Sequence, residues 1–167
     1  DGWGIGHKDD SDGIHLAKTP YFDQLCVNYP NSTLVTYGEK VGLPAGQMGN
    51  SEVGHMNLGA GRIVYQDLLK IDNAINDRSF FQNQELLKAI DYANKNNRKI
   101  HLMGLVSKGG VHSSFEHLKA LCELISEQKA DKCFIHAFTD GRDCDPNSAL
   151  SYIKELSDEI KGSSIQI

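Results

Sequence analysis

From Lys99 onward the chain alternates short apolar runs with helical stripes, and that alternation constrains its fold more than any other feature. Lys99 to Val106 reads as a strand, and Phe115, Leu118, Cys122 and Ile125 share one face of a helix over Ser114 to Glu127. Lys132 to Phe138 reads as a second strand. Ala149, Ile153, Leu156 and Ile160 make another helical stripe, and Ser163 to Ile167 starts a third strand. Strand, helix, strand, helix, strand predicts a parallel sheet, whose neighbouring strands are joined by helical crossovers. The polar clusters SKGGVHSS, Ser107 to Ser114, and FTDGRDCDP, Phe138 to Pro146, then follow the carboxyl ends of two strands. That is where open α/β sheets bind ligands, so both loops point into one crevice.

The first half is organised around a different feature. Gly46 to Arg62 reads GQMGNSEVGHMNLGAGR and sets Ser51 among glycines at 46, 49, 54, 59 and 61, just before a helix start. Glycines let the backbone turn tightly and approach a ligand, and a helix N-terminus offers unpaired N–H groups to an anion. Taken alone, the segment reads first as a capped helix after a flexible loop, with Ser51 as its N-cap. His55, four residues on, shares a helix face with Ser51 and is expected to support the loop by hydrogen bonding rather than to act as a base. Around this segment, Thr19, Pro20 and Tyr21 to Val27 predict a helix with proline in its first turn, and Ser32 to Tyr37 a short strand. Tyr65 to Ile75 and Asn83 to Asn94 predict two more helices, with Leu86, Ile90 and Ala93 on one face of the second.

The order of these motifs closely resembles the cofactor-independent (2,3-bisphosphoglycerate-independent) phosphoglycerate mutases, which interconvert 3-phosphoglycerate and 2-phosphoglycerate. The resemblance rests on DGWGIG at the start, LPAGQMGNSEVGHMNLGAGRIVYQDL in the middle, then HLMGLVS, GGVHS, HAFTDGRD and the stretch Ser148 to Tyr152. It implies an α/β fold in two incomplete parts. Residues 1–64 would be the N-terminal part of an alkaline-phosphatase-like, metal-binding domain. Residues 65–167 would be the N-terminal part of an inserted α/β substrate-binding domain with a parallel sheet.

The same resemblance implies residue roles. Ser51 matches the serine that is both nucleophile and metal ligand, Asp1 matches a metal-binding aspartate, and two divalent ions, manganese in the family, would complete the site with ligands beyond residue 167. His112, Arg142 and Asp143 match substrate-holding residues. Their chemistry suits that work: arginine grips a carboxylate or phosphate with two parallel N–H bonds, aspartate accepts from glycerate hydroxyls, and histidine bonds phosphate or carries a proton. The implied reaction is phosphoryl transfer through a phosphoserine at Ser51, in two half-reactions during which glycerate stays bound and domain closure excludes water. A hinge is expected near Ile63 to Tyr65. Lys108 and Ser114 stand where the family pattern has an aspartate and a histidine, so the potential beside the substrate loop is expected to differ.

Composition narrows the partners. A net charge of −5 and a pI near 5.8 leave no basic footprint for nucleic acid, and no apolar run is long enough to cross a membrane. Cys26, Cys122, Cys133 and Cys144 lack CxxC spacing and read as ordinary thiols in a reducing cytoplasm. The expected partner is the small-molecule substrate alone, for a monomer. Without the resemblance, His112 would read as a helix cap and Arg142 with Asp143 as a loop ion pair; His7, His15, His55, His101, His117 and His136 lack metal-ligand spacing and receive no role. Two alternatives remain: a metal-dependent phosphatase of the alkaline phosphatase superfamily, and an inactive phosphate-ligand-binding fragment. The chain starts at Asp1 without methionine and stops in SSIQI, so it is expected to be a fragment, inactive by itself.

Overall fold

The computed structural model describes residues 3–167 and divides the chain into two compact units, Asp1–Gln66 and Asp67–Ile167. None of its helices is long and apolar enough to cross a membrane among the described residues.

The second unit is α/β. Strands β1 (Ile100–Val106), β2 (Cys133–Thr139) and β3 (Ile165–Gln166) form a parallel sheet in that order, with Ile100 opposite Cys133 and Cys133 opposite Ile165. Helix α6 (Phe115–Glu127) connects β1 to β2, and α7 (Ala149–Glu159) connects β2 to β3. Two further helices, α4 (Asp67–Asn76) and α5 (Gln84–Lys95), precede the sheet. Helix α5 starts where Asn83 Oδ1 accepts from the amides of Glu85 and Leu86 at 3.0 and 3.2 Å, satisfying two donors that the first turn leaves open.

Alternation along the strands decides which face is buried. Val106, Cys133 and Ile135 enter the core with Phe115, Cys122, Leu124 and Ile125 of α6 and Leu156 of α7. His101, Met103, His136 and Phe138 lie exposed on the sheet. Burial pushes the Cys122 thiol up to about 12 and that of Cys133 up to about 11, so both are neutral thiols in the core.

The first unit holds α1 (Gly13–Leu16), α2 (Pro20–Asn28), a 3-10 turn at Gly38–Val41 and α3 (Ser51–Ala60). Its buried cluster is Val41, Leu43 and Val53. Asn57 of α3 stitches this cluster together: its Nδ2 donates to the Val53 and Val41 carbonyls at 2.7 and 3.1 Å, and its Oδ1 accepts from Val64 N at 2.7 Å. The strand expected over Ser32 to Tyr37 does not form. The segment is irregular, and no strand pairs with it among the described residues, so its β-branched residues have no ladder to join. Instead, Thr36 packs against the loop that leads into α3: a Cβ on Gly49 would lie 1.8 Å from the Thr36 carbonyl oxygen.

Candidate functional site

In the first unit the structure sets Ser51 as the opening residue of α3, and the N-cap is Asn50 rather than Ser51. Asn50 has extended backbone, φ −143° and ψ 172°, and its Oδ1 accepts from Val53 N at 2.9 Å. The capping work is therefore done by a neighbour, and the exposed Ser51 hydroxyl is not spent on it. His55 does share its face. Its Nδ1 lies 2.8 Å from the Ser51 carbonyl oxygen and 3.2 Å from Ser51 Oγ. An Nδ1–H that donates to the carbonyl holds the ring against the first turn, and that nitrogen is then unable to take the serine proton. Asp1, the other residue assigned to a metal, lies outside the described residues. Among the described residues no group of three or more His, Cys, Asp or Glu side chains is placed to hold a metal ion.

In the second unit the loops after β1 and β2 meet. His112 Nε2 stands 3.5 Å from Asp143 Oδ2. Arg142 is 87% exposed with its Nε 3.9 Å from Asp143 Oδ1, too long and too wet for a strong ion pair, so its fork is available to a ligand. Ser114 takes the N-cap position of α6 without a side-chain capping bond, and His112 does not supply one. Ser113 Oγ is buried without a hydrogen-bond partner among the described residues.

The loops are joined by two residues to which sequence reasoning assigned nothing. Asp140 and Ser107 are both buried, at 8% and 2% exposure. Ser107 Oγ donates to Asp140 Oδ2 at 2.5 Å, and Asp140 Oδ1 accepts from the amides of Arg142 and Asp143 at 2.9 and 3.1 Å. The Ser107 hydroxyl, then these two amides, hold the Asp140 carboxyl well below the usual carboxylate range. Ser107 Oγ also accepts from Gly109 N at 3.0 Å. Gly109 must be a glycine, since a Cβ there would lie 2.9 Å from the Asp143 carbonyl oxygen.

A cleft of about 260 Å³ opens beside these loops, lined by Ser107, Lys108, Gly110, Ser114, Phe115 and Glu116. Lys108, expected from the resemblance to stand in place of an aspartate, has its Nζ 2.6 Å from Glu155 Oε2 and lies near the rings of Phe115 and Tyr152. Lys108 in turn lowers the Glu155 carboxyl from its ordinary value. The added positive charge is thus largely balanced locally. Two histidines given no role also meet: His101 Nδ1 and His136 Nε2 are 2.9 Å apart across β1 and β2.

Comparison with known proteins bears on these loops. Residues 71–167 match the family described as BPG-independent PGAM N-terminus (iPGM_N). The 2,3-bisphosphoglycerate-independent phosphoglycerate mutase of Onion yellows phytoplasma is 57% identical over 159 residues, which are 95% of this chain and 31% of that protein. The protein of the same name from Bacteroides thetaiotaomicron is 55% identical over 157 residues, 94% of this chain and 31% of its own length. A crystal structure of Leishmania mexicana phosphoglycerate mutase at low cobalt concentration superposes with a TM-score of 0.68 at 34% identity, covering 97% of this chain and 31% of that one. The chain spans about a third of the length of the curated relatives it matches.

Proposed function

Because the chain belongs to the BPG-independent phosphoglycerate mutase family, we propose that it forms the N-terminal part of an enzyme that interconverts 3-phosphoglycerate and 2-phosphoglycerate through a phosphoserine at Ser51. The observation that carries this reading is the pairing of the loops after β1 and β2, where His112 Nε2 comes within 3.5 Å of Asp143 Oδ2 beside an exposed Arg142. A histidine, a carboxylate and an uncommitted guanidinium at one point match the hydroxyl, phosphate and carboxylate of a phosphoglycerate.

On this reading the first unit belongs to the metal-binding, phosphatase-like domain and the second to the inserted substrate-binding domain, with the boundary near residues 64 and 65. Ser51 Oγ bonds to phosphorus as the bond from phosphorus to the substrate oxygen breaks, and the proton given up by the Ser51 hydroxyl balances the one the freed oxygen takes up. The reverse transfer returns the phosphoryl group to the other hydroxyl of glycerate, held throughout by His112, Arg142 and Asp143. His112 can carry the proton between those hydroxyls.

Ser51 and Asp1 would hold divalent metal, manganese in our reading, and their hard oxygen donors suit such an ion. Bound metal would favour the serine alkoxide and neutralise phosphate charge. His55 keeps the Ser51 turn in place through its bond to the Ser51 carbonyl. We further propose a monomer that works in the cytoplasm and takes no macromolecular partner.

The test is Ser51→Ala in a complete enzyme carrying this segment, assayed for 3-phosphoglycerate conversion with manganese and without 2,3-bisphosphoglycerate. The variant is expected to lose mutase turnover entirely, and the 167-residue chain by itself to show none. Substantial turnover by the Ser51→Ala enzyme overturns the assignment, and phosphate release in place of isomerisation by the unmodified enzyme replaces it with a phosphatase.

A further inference from the structure

A site that receives an anionic substrate is a poor place for a buried carboxylate unless its charge is consumed locally. Asp140 is buried at the end of β2, two residues before Arg142 and three before Asp143, and both of its oxygens are engaged. Oδ2 takes the Ser107 hydroxyl proton from the end of β1, and Oδ1 takes the amides of the two residues expected to hold substrate. The same Ser107 Oγ accepts from Gly109 N, which turns the GGVHS loop, and the Gly109 backbone packs directly against Asp143. One hydroxyl and one carboxylate therefore tie together both loops on which His112, Arg142 and Asp143 sit.

We infer that Asp140 and Ser107 form a clamp of positioning residues that sets the backbone of Arg142 and Asp143 against the His112 loop, and so determines how tightly a phosphoglycerate is held. The inference takes the ligand from the proposed function; the clamp itself rests on the geometry above. Both clamp residues are buried and act on a ligand through the loops they hold. Cys144, with Sγ 3.1 Å from Ser148 Oγ and 3.7 Å from Ser107 Oγ, packs against the same junction and links it to the start of α7.

The cradle holds glycerate in ground and transition states alike, so loosening it appears in the Michaelis constant more than in kcat. In the complete enzyme, Ser107→Ala is expected to raise the Michaelis constant for 3-phosphoglycerate about tenfold, the scale on which residues that orient a site act. The change in kcat is expected to stay within about threefold. Ser107→Thr, which keeps the hydroxyl, restores the lower value. Asp140→Asn combined with Ser107→Ala is less damaging than the two single changes added together, because the bond between them is common to both. Amide exchange measured by NMR supplies a readout independent of turnover: the Arg142 and Asp143 amides are expected to exchange faster in Ser107→Ala.

An unchanged Michaelis constant in Ser107→Ala, or additive effects in the double variant, overturns the clamp while leaving Ser51 chemistry intact. If the unmodified enzyme does not turn over 3-phosphoglycerate, the proposed function fails instead. Slower or unchanged exchange at Arg142 and Asp143 then overturns the clamp, and faster exchange upholds it.

Discussion

The Asp140 charge helps hold the loops together, and its sign fixes a pH dependence. Its folded-state carboxyl lies below the ordinary range, because Ser107 and then the Arg142 and Asp143 amides favour the ionised form. Its stabilising contribution is present above the unfolded carboxylate value of about 3.9 and declines as pH falls toward the depressed folded value. Asp140→Asn is therefore expected to destabilise the protein at pH 7 and to differ less from the unmodified protein at pH 3, measured by urea unfolding at both pH values. A difference independent of pH would contradict this origin. Asp140 was hard to see in the sequence for a specific reason: it lies in a motif where Arg142 and Asp143 attract attention, and its partner Ser107 is 33 residues away. The place of Ser51 at a helix start was legible because glycines surround it. That Asn50, not Ser51, caps α3 was not, since two adjacent capping residues differ only in which backbone is extended.

At the scale of elements, the position of α3 is decided by contacts on either side of its first turn. Asn50 closes the turn, Asn57 ties the helix to the Val41 and Val64 backbone, and Gly49 lets the loop rest against Thr36. Asn50→Ala is expected to cost about 1 kcal/mol, the usual value of an N-cap. Gly49→Ala is expected to cost more, since its Cβ would meet backbone at 1.8 Å and neither side can yield without moving α3. Urea unfolding of the two variants gives the ranking, and equal costs would show that the loop gives way freely. The helices and strands from Asn83 onward were readable nearly to their ends, because apolar stripes of period 3.6 alternate with short β-rich runs. Ser32 to Tyr37 was misread for the opposite reason: β propensity describes a fit to neighbouring strands, and there are none beside it among the described residues.

Across the whole molecule the two units differ in how much apolar surface they hide. The second gathers Leu124, Ile125, Leu156, Val106 and Cys133 at or below 2% exposure, whereas the first buries Val41, Leu43 and Val53 and leaves Tyr21 at 74% and Val27 at 84%. Native-state hydrogen exchange is expected to follow that division, with the amides of β1, β2 and α6 protected longest and those of α2 and the 3-10 turn exchanging through local openings. Uniform protection across both units would refute it. The parallel ladder of the second unit also orders events in time. Ile100 reaches Cys133, and Cys133 reaches Ile165, only after roughly thirty residues of chain have been looped back. Helices α6 and α7 close from neighbours in sequence and need no such return. Loop-closure cost therefore predicts that the helices form before the strand ladder, with the loops bearing His112, Arg142 and Asp143 among the latest parts of the chain to find their places.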